Sequence, residues 1–212
     1  MPKEIGQLKA VQRLILYDNR LVSIPKEIGQ LKALEELFLE NNQLVSVPKE
    51  IGQLQRLREL YLQNNQLVSI PKEIGRLRAL ESLDLGGNRL VSIPDEIGQL
   101  ETLYKLYLKT NQLVSVPKKI GQLQLLRDLH LDNNQLVSIP EEISQLPALL
   151  ELHLDNNRLV RLPEGIGRII RLSLNGNNIF IPAERSYLSR IQDNLGSVRN
   201  ALGRMTSWFR SS

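Results

Sequence analysis

The 212-residue chain has no cysteine, which excludes a disulfide framework, a cysteine-ligated zinc site and a thiol nucleophile. Aromatic residues are scarce at 4%, with one Trp and three Phe, so any core must be filled by Leu, Ile and Val. That is unusual for a compact globule and ordinary for a repeat protein. No apolar run is long enough to span a bilayer, and residues 1–10 lack the basic-then-apolar order of a secretory leader, so a cytoplasmic location is the default expectation. A strong charge bias is missing as well. Of the net charge of +4, residues 183–212 carry +3, from five Arg against Glu184 and Asp193, which leaves the rest near neutral. A body without a clustered basic surface is poorly suited to engaging phosphates, so nucleic-acid binding is disfavoured.

What the chain has in abundance is a period of 23 residues. Asparagine falls at Asn19, Asn42, Asn65, Asn88, Asn111, Asn134 and Asn157, then at Asn177 after a shortened step of 20. Leu14, Leu16 and Leu21 surround the first as Leu37, Leu39 and Leu44 surround the second. An aliphatic residue and a proline follow, as in Ile24-Pro25, Val47-Pro48 and Leu162-Pro163. The frame L-x-x-L-x-L-x-x-N-x-L, followed by V/I-P-x-x-I-G-x-L, resembles the 23-residue class of leucine-rich repeats. That class is found in cytoplasmic scaffolds of the Ras-suppressor and Scribble type, in some plant proteins and in bacterial families such as those of spirochaetes. The resemblance covers residues 2–182 in eight copies, and it implies an α/β-class solenoid, a horseshoe with a parallel β-sheet on the concave side and irregular or 3-10 turns on the convex side.

Elementary stereochemistry agrees. In Glu36-Leu37-Phe38-Leu39-Glu40 the period of two turns the leucines inward and the residues between them outward. Asparagine ends the strand, and in a leucine-rich repeat its amide is expected to satisfy backbone groups of the turn. Proline stops the ladder, and Gly29, Gly52, Gly75, Gly98 and Gly121 are read as permitting the tight return. Ser144 replaces this glycine in one copy, which puts a required positive φ in doubt. No copy buries its own leucines, so stacking supplies the core. Eight strands at about 4.8 Å spacing give a concave sheet roughly 34 Å long.

The outward strand positions vary most from copy to copy, and recognition is expected there. The central column reads Ile15, Phe38, Tyr61, Asp84, Tyr107, His130, His153 and Ser173. The column after it begins at Tyr17 and Glu40 and includes Gly86, Lys109, Asp132 and Asp155; the column before it runs from Arg13 through Ser82, Lys105, Asp128 and Glu151 to Arg171. Ile15, Tyr17, Phe38, Glu40, Tyr61, Asp84, Lys105, Tyr107, Lys109, His130, Asp132, His153 and Asp155 are the candidate partner-binding residues, since exposed rings supply contact area at low entropic cost. The aromatics are also at home in strands, where they stack on cross-strand neighbours. Small residues at Ser82, Gly86 and Gly87 predict a dip in this surface. Two His and four carboxylates, Asp128, Asp132, Glu151 and Asp155, predict a patch with zinc-compatible ligand types. An open sheet gives no readable orientation for them, so the patch is read as a solvated surface that receives Lys or Arg from a partner. No metal or cofactor is assigned.

There is no G-x-S-x-G, no glycine-rich phosphate loop and no third residue placed to orient a histidine, so no catalytic residue is assigned. Recurrent Lys-Glu pairs after proline, such as Lys26-Glu27 and Lys49-Glu50, are read as a solvated convex face. The expectation is a noncatalytic module that binds a protein or peptide, with no small-molecule substrate evident. The alternatives are the recognition arm of a larger enzyme, such as a bacterial ubiquitin-ligase effector, or an engineered repeat scaffold. The chain begins in the second half of a copy, which points to a fragment or to an open edge that meets another chain. After Pro182, Leu188, Ile191, Leu195, Val198, Leu202, Met205 and Phe209 recur at steps of three and four, an amphipathic helix over 183–212. It is read as a cap on the last copy, with a pairing helix or a membrane-surface helix as alternatives.

Overall fold

The alternation of leucine with polar or aromatic residues resolves into eight short strands, each followed by a turn, an asparagine corner and an extended return. In a computed structural model, which describes residues 1–179, the strands are β1 (Arg13–Ile15), β2 (Glu36–Phe38), β3 (Glu59–Tyr61), β4 (Ser82–Asp84), β5 (Lys105–Tyr107), β6 (Asp128–His130), β7 (Glu151–His153) and β8 (Arg171–Ser173). They form one parallel sheet in sequence order. The register is one repeat per strand: Leu37 pairs with Leu14 on one side and Leu60 on the other. The shortened last copy keeps it, with Leu152 opposite Leu172. The helix expected over 183–212 lies outside the described residues.

Seven of the eight returns carry a five-residue 3-10 turn, as at Lys26–Gln30, Lys49–Gln53 and Lys72–Arg76, and the last a three-residue one at Ile166–Arg168. Proline stands just before it in extended conformation, with φ of −71° at Pro25. Its missing N–H would have had no partner at a turn start, and its fixed φ presets the entry. The Pro25 carbonyl accepts from the Ile28 N–H at 3.0 Å. Between turns and sheet lies a core whose buried members are all Leu, Ile and Val, most of them with no solvent exposure.

The convex glycines differ from the expectation in their physical reason. Positive φ occurs elsewhere, at Asp18, Asn41, Asn64, Gly87, Thr110, Asn133, Asn156, Gly165 and Gly176. Gly52 and its equivalents are instead sites of close approach between stacked turns. A Cβ on Gly52 would stand 2.4 Å from the Glu73 carbonyl oxygen, and one on Gly75 would stand 2.3 Å from that of Glu96. Apart from Gly165, which precedes the last 3-10 turn, the positive-φ residues each stand just before a repeat asparagine, in a conformation that Asn and Gly tolerate best.

The repeat asparagines form a buried ladder. Asn65 donates through Nδ2 to the Leu62 carbonyl of its own copy at 3.0 Å and to Leu39 of the preceding copy at 3.0 Å. Its Oδ1 accepts from the Leu44 N–H at 2.9 Å. The same pattern recurs at Asn88, Asn111, Asn134 and Asn157. The corner therefore belongs to two copies at once, which locks their register as well as their spacing.

Candidate functional site

Parallel pairing in register brings the outward positions of successive strands into columns, because equivalent residues sit about 4.8 Å apart across neighbouring strands. The central column is a row of rings. Phe38 and Tyr61 meet edge to face with centroids 5.2 Å apart, and Tyr107 meets His130 edge to face at 4.6 Å. His130 then stacks on His153 at 4.2 Å with an interplanar angle of 30°. These spacings are those of the strands, so the ladder dictates the ring contacts. Phe38, Tyr61, Tyr107, His130 and His153 are all half-buried, and Ile15 is 52% exposed.

Asp84 interrupts the row between the two tyrosines. Its Oδ1 accepts from the Gly86 N–H at 2.8 Å. Burial raises its pKa above the usual carboxylate range, against the lowering effects of that hydrogen bond and of Lys109. Ser82 in the same copy is only 2% exposed, so the taller neighbours overhang it. The dip read from small residues is therefore a covered one, floored by β4 and walled by β3 and β5.

The following column, with Tyr17, Glu40, Lys109, Asp132 and Asp155, lies just beyond the strand ends. Tyr17 and Lys109 are exposed, whereas Glu40, Asp132 and Asp155 are half-buried. Asp155 accepts from the backbone N–H of Asn175 at 2.6 Å, from its Nδ2 at 2.8 Å and from the Ser173 hydroxyl. This carboxylate therefore ties the last copy down, a role not visible in the sequence because it depends on the shortened step. Asp132 accepts from Asn133 Nδ2 at 3.0 Å.

The preceding column contains ion pairs that inspection of single copies misses. Arg13 pairs with Glu36 and Arg171 with Glu151, each across one strand step. Arg58, just before β3, reaches Glu81 at 2.6 Å. Opposite charges at matching frame positions of adjacent copies were the available signal. Lys105 lies over the Tyr104 ring at 5.4 Å.

The electrostatics of the ring column follow from partial burial. Desolvation, reinforced by the carboxylates of Asp128 and Asp84, pushes the Tyr107 hydroxyl up to about 12. Burial and the neighbouring His153 lower the pKa of His130, with Asp132 and Asp128 opposing and Lys109 assisting. His130 packs as an aromatic ring between Tyr107 and His153.

Away from the sheet, a convex recess of about 800 Å³ is lined by Gln55, Arg76, Arg78, Gln99, Glu101, Gln122 and Gln124. It holds neither histidine nor a nucleophile beside a base. Among the described residues no helix is long and apolar enough to cross a membrane.

Comparison with known proteins adds a lineage to this geometry. The description of a leucine-rich repeat region matches residues 48–116, and that of a leucine rich repeat matches residues 9–67 and 101–159. No curated protein sequence matches the chain. Among solved structures, a leucine-rich-repeat protein of Leptospira interrogans is 46% identical, with a TM-score of 0.82, over 90% of this chain and 50% of that one. A plant peptide hormone receptor in complex with its peptide RGF2 is 31% identical, with a TM-score of 0.67, over 84% of this chain and 34% of the receptor. The ectodomain of an Arabidopsis thaliana membrane receptor kinase, in complex with Casparian strip integrity factor 2, is 30% identical, with a TM-score of 0.75, over 90% and 27%. The chain thus spans half the length, or less, of each of these structures.

Proposed function

The chain belongs to the leucine-rich-repeat family, and from that premise we propose that it is a noncatalytic module that binds a protein or peptide along its concave sheet. The observation that carries this reading is the ring column Phe38, Tyr61, Tyr107, His130 and His153. In a chain with so few aromatics, all five rings stand half-buried on one outward face instead of in the core.

Rings held by cross-strand contacts lose little conformational freedom when a partner covers them, so their contact area converts efficiently into affinity. The flanking columns add charge that changes sign along the sheet: Glu36, Glu40 and Glu59 near one end, Lys105 and Lys109 in the middle, and Asp128, Asp132 and Glu151 beyond. A partner whose charges alternate in the opposite sense is selected, and a slipped register juxtaposes like charges. Two of the similar plant receptors were solved with peptide or protein factors bound, which supports the same class of partner here.

The test is a triple substitution, Phe38→Ala, Tyr61→Ala and Tyr107→Ala, compared with the parent chain in partner capture from a lysate of the source organism. Removing three anchors of this size is expected to weaken capture at least about 100-fold, since single anchors are worth about 1–2 kcal/mol or more. Unchanged capture, with circular dichroism showing the fold intact, moves the site off the concave face.

A further inference from the structure

The chain contains two histidines in all, and the fold sets them side by side. His130 ends β6 and His153 ends β7, directly opposite each other in the parallel ladder. Glu151 lies two residues before His153 and so on the same face. Its Oε2 is 3.8 Å from His153 Nε2. One ligand atom from each of His130, Glu151 and His153 falls within 4.8 Å of the other two. From this juxtaposition we propose that His130, His153 and Glu151 bind a zinc ion through two imidazole nitrogens and one carboxylate oxygen, with the fourth position open to the concave surface.

The ligand types are those of three-ligand zinc sites, in which two imidazoles and a carboxylate leave one coordination position for water or an incoming group. Tetrahedral bonds of about 2.0–2.2 Å place ligand atoms roughly 3.3 Å apart. The trio therefore has to contract by about 1.5 Å at most, given its present spread of 4.8 Å. All three side chains are half-buried, so they rotate without displacing core, while the paired strands hold their Cβ atoms in place. The contraction opens the near-parallel imidazole stack into a V that aims one nitrogen of each ring at a common point.

Orientation, the element missing from the sequence reading of this patch, is supplied by the neighbours. Arg171 pairs with Oε1 of Glu151, which leaves Oε2 turned toward His153. Asp132 Oδ1 stands 4.0 Å from Nδ1 of His130, positioned to accept the Nδ1 proton once the other ring nitrogen takes the metal. Tyr107 braces the far side of His130 edge to face. The site does not depend on any partner being bound, so it stands or falls apart from the recognition reading.

The experiment is calorimetric titration of the full, untagged chain with zinc chloride at about pH 7.5, repeated with cobalt chloride followed by absorption spectroscopy. About one zinc per chain is expected, with a dissociation constant near micromolar, together with the intense visible bands of tetrahedral cobalt. His130→Ala and His153→Ala are each expected to weaken binding at least about 100-fold, and Glu151→Gln about 10–100-fold. Lys118→Ala, on the convex side, is expected to bind as the parent does. Because the imidazoles must be unprotonated to bind, affinity is expected to fall as the pH is lowered from about 7.5 to about 5.5. Circular dichroism checks that the variants keep their fold. Absence of zinc binding in the parent overturns the proposal. So does binding that survives either histidine substitution, since the three-ligand site needs both.

Discussion

From the second copy onward one asparagine side chain per copy satisfies backbone groups in two copies, and this concentrates stability at single residues. Asn88 is 7% exposed; its Nδ2 reaches the carbonyls of Leu62, Leu85 and Gly86 at 3.0, 3.0 and 3.3 Å, and its Oδ1 accepts from the Leu67 N–H at 3.0 Å. Truncation to alanine strands these groups where water has little access. Each unsatisfied buried group costs about 1–3 kcal/mol. Asn88→Ala is therefore expected to lower unfolding stability by about 3 kcal/mol or more, read from the shift of the urea midpoint. An exposed residue one copy away, Gln112→Ala, serves as the control and is expected to shift it by about 0.5 kcal/mol or less. A midpoint for Asn88→Ala within that range would show that the ladder is not a cross-repeat lock. The spacing of these asparagines was plain in the sequence, and so was their use in a local turn. Their bonds to the preceding copy were not, because a contact at a separation of 26 residues exists only once two copies are stacked.

At the level of the element, the 3-10 turn shows a residue pattern that is legible in the sequence while its physical reason appears only in the stack. Glycine in these convex turns was legible, and Ser144 in one of them already put a required positive φ in doubt. The stacking distance between turns is what requires glycine: Gly52 has the Glu73 carbonyl oxygen 2.4 Å from where a Cβ would stand. Backbone cannot swing aside as the end of a long side chain does, so the whole turn must move. Gly52→Ala is expected to cost about 1–3 kcal/mol through overpacking, seen as a lower melting temperature with the far-UV spectrum unchanged. The exception supports the account. On its following side Ser144 faces the shortened last copy, where its Oγ lies 3.8 Å from the position a Cβ on Gly165 would take, and its hydroxyl donates to the Glu141 carbonyl at 2.8 Å. Ser144→Gly is accordingly expected to change the melting temperature little. Equal losses in the two variants would return the argument to backbone conformation. The cross-strand ion pairs were hidden for a related reason: Arg13 and Glu36 are neighbours only through the register, one full copy apart.

For the whole molecule, the period makes the fold a sum of units, each held by its own core and by its two neighbours. That is why the concave columns could be read from the frame alone, residue by residue, whereas the contacts within a column needed the strand spacing. It is also why a unit can be removed. Deleting residues 65–87 joins Asn64 to Asn88 and restores the N-x-L frame, taking out β4 with its covered dip at Ser82 and its half-buried Asp84. Tyr61 then neighbours Tyr107, and the ring column runs unbroken from Phe38 to His153. Because denaturant sensitivity scales with the surface exposed on unfolding, the urea m-value is expected to fall by roughly one-eighth for the loss of one of eight strands. Deleting only residues 65–75 removes the asparagine and the convex turn but leaves the strand, so the frame is broken and the stack must part at that point. That variant is expected to lose cooperativity and bind a hydrophobic dye, whereas the full-copy deletion is expected to do neither. If both behaved alike, the copies would not be the independent units that the column reading assumes, and the proposed recognition surface would have to be argued from the intact sheet as a single piece.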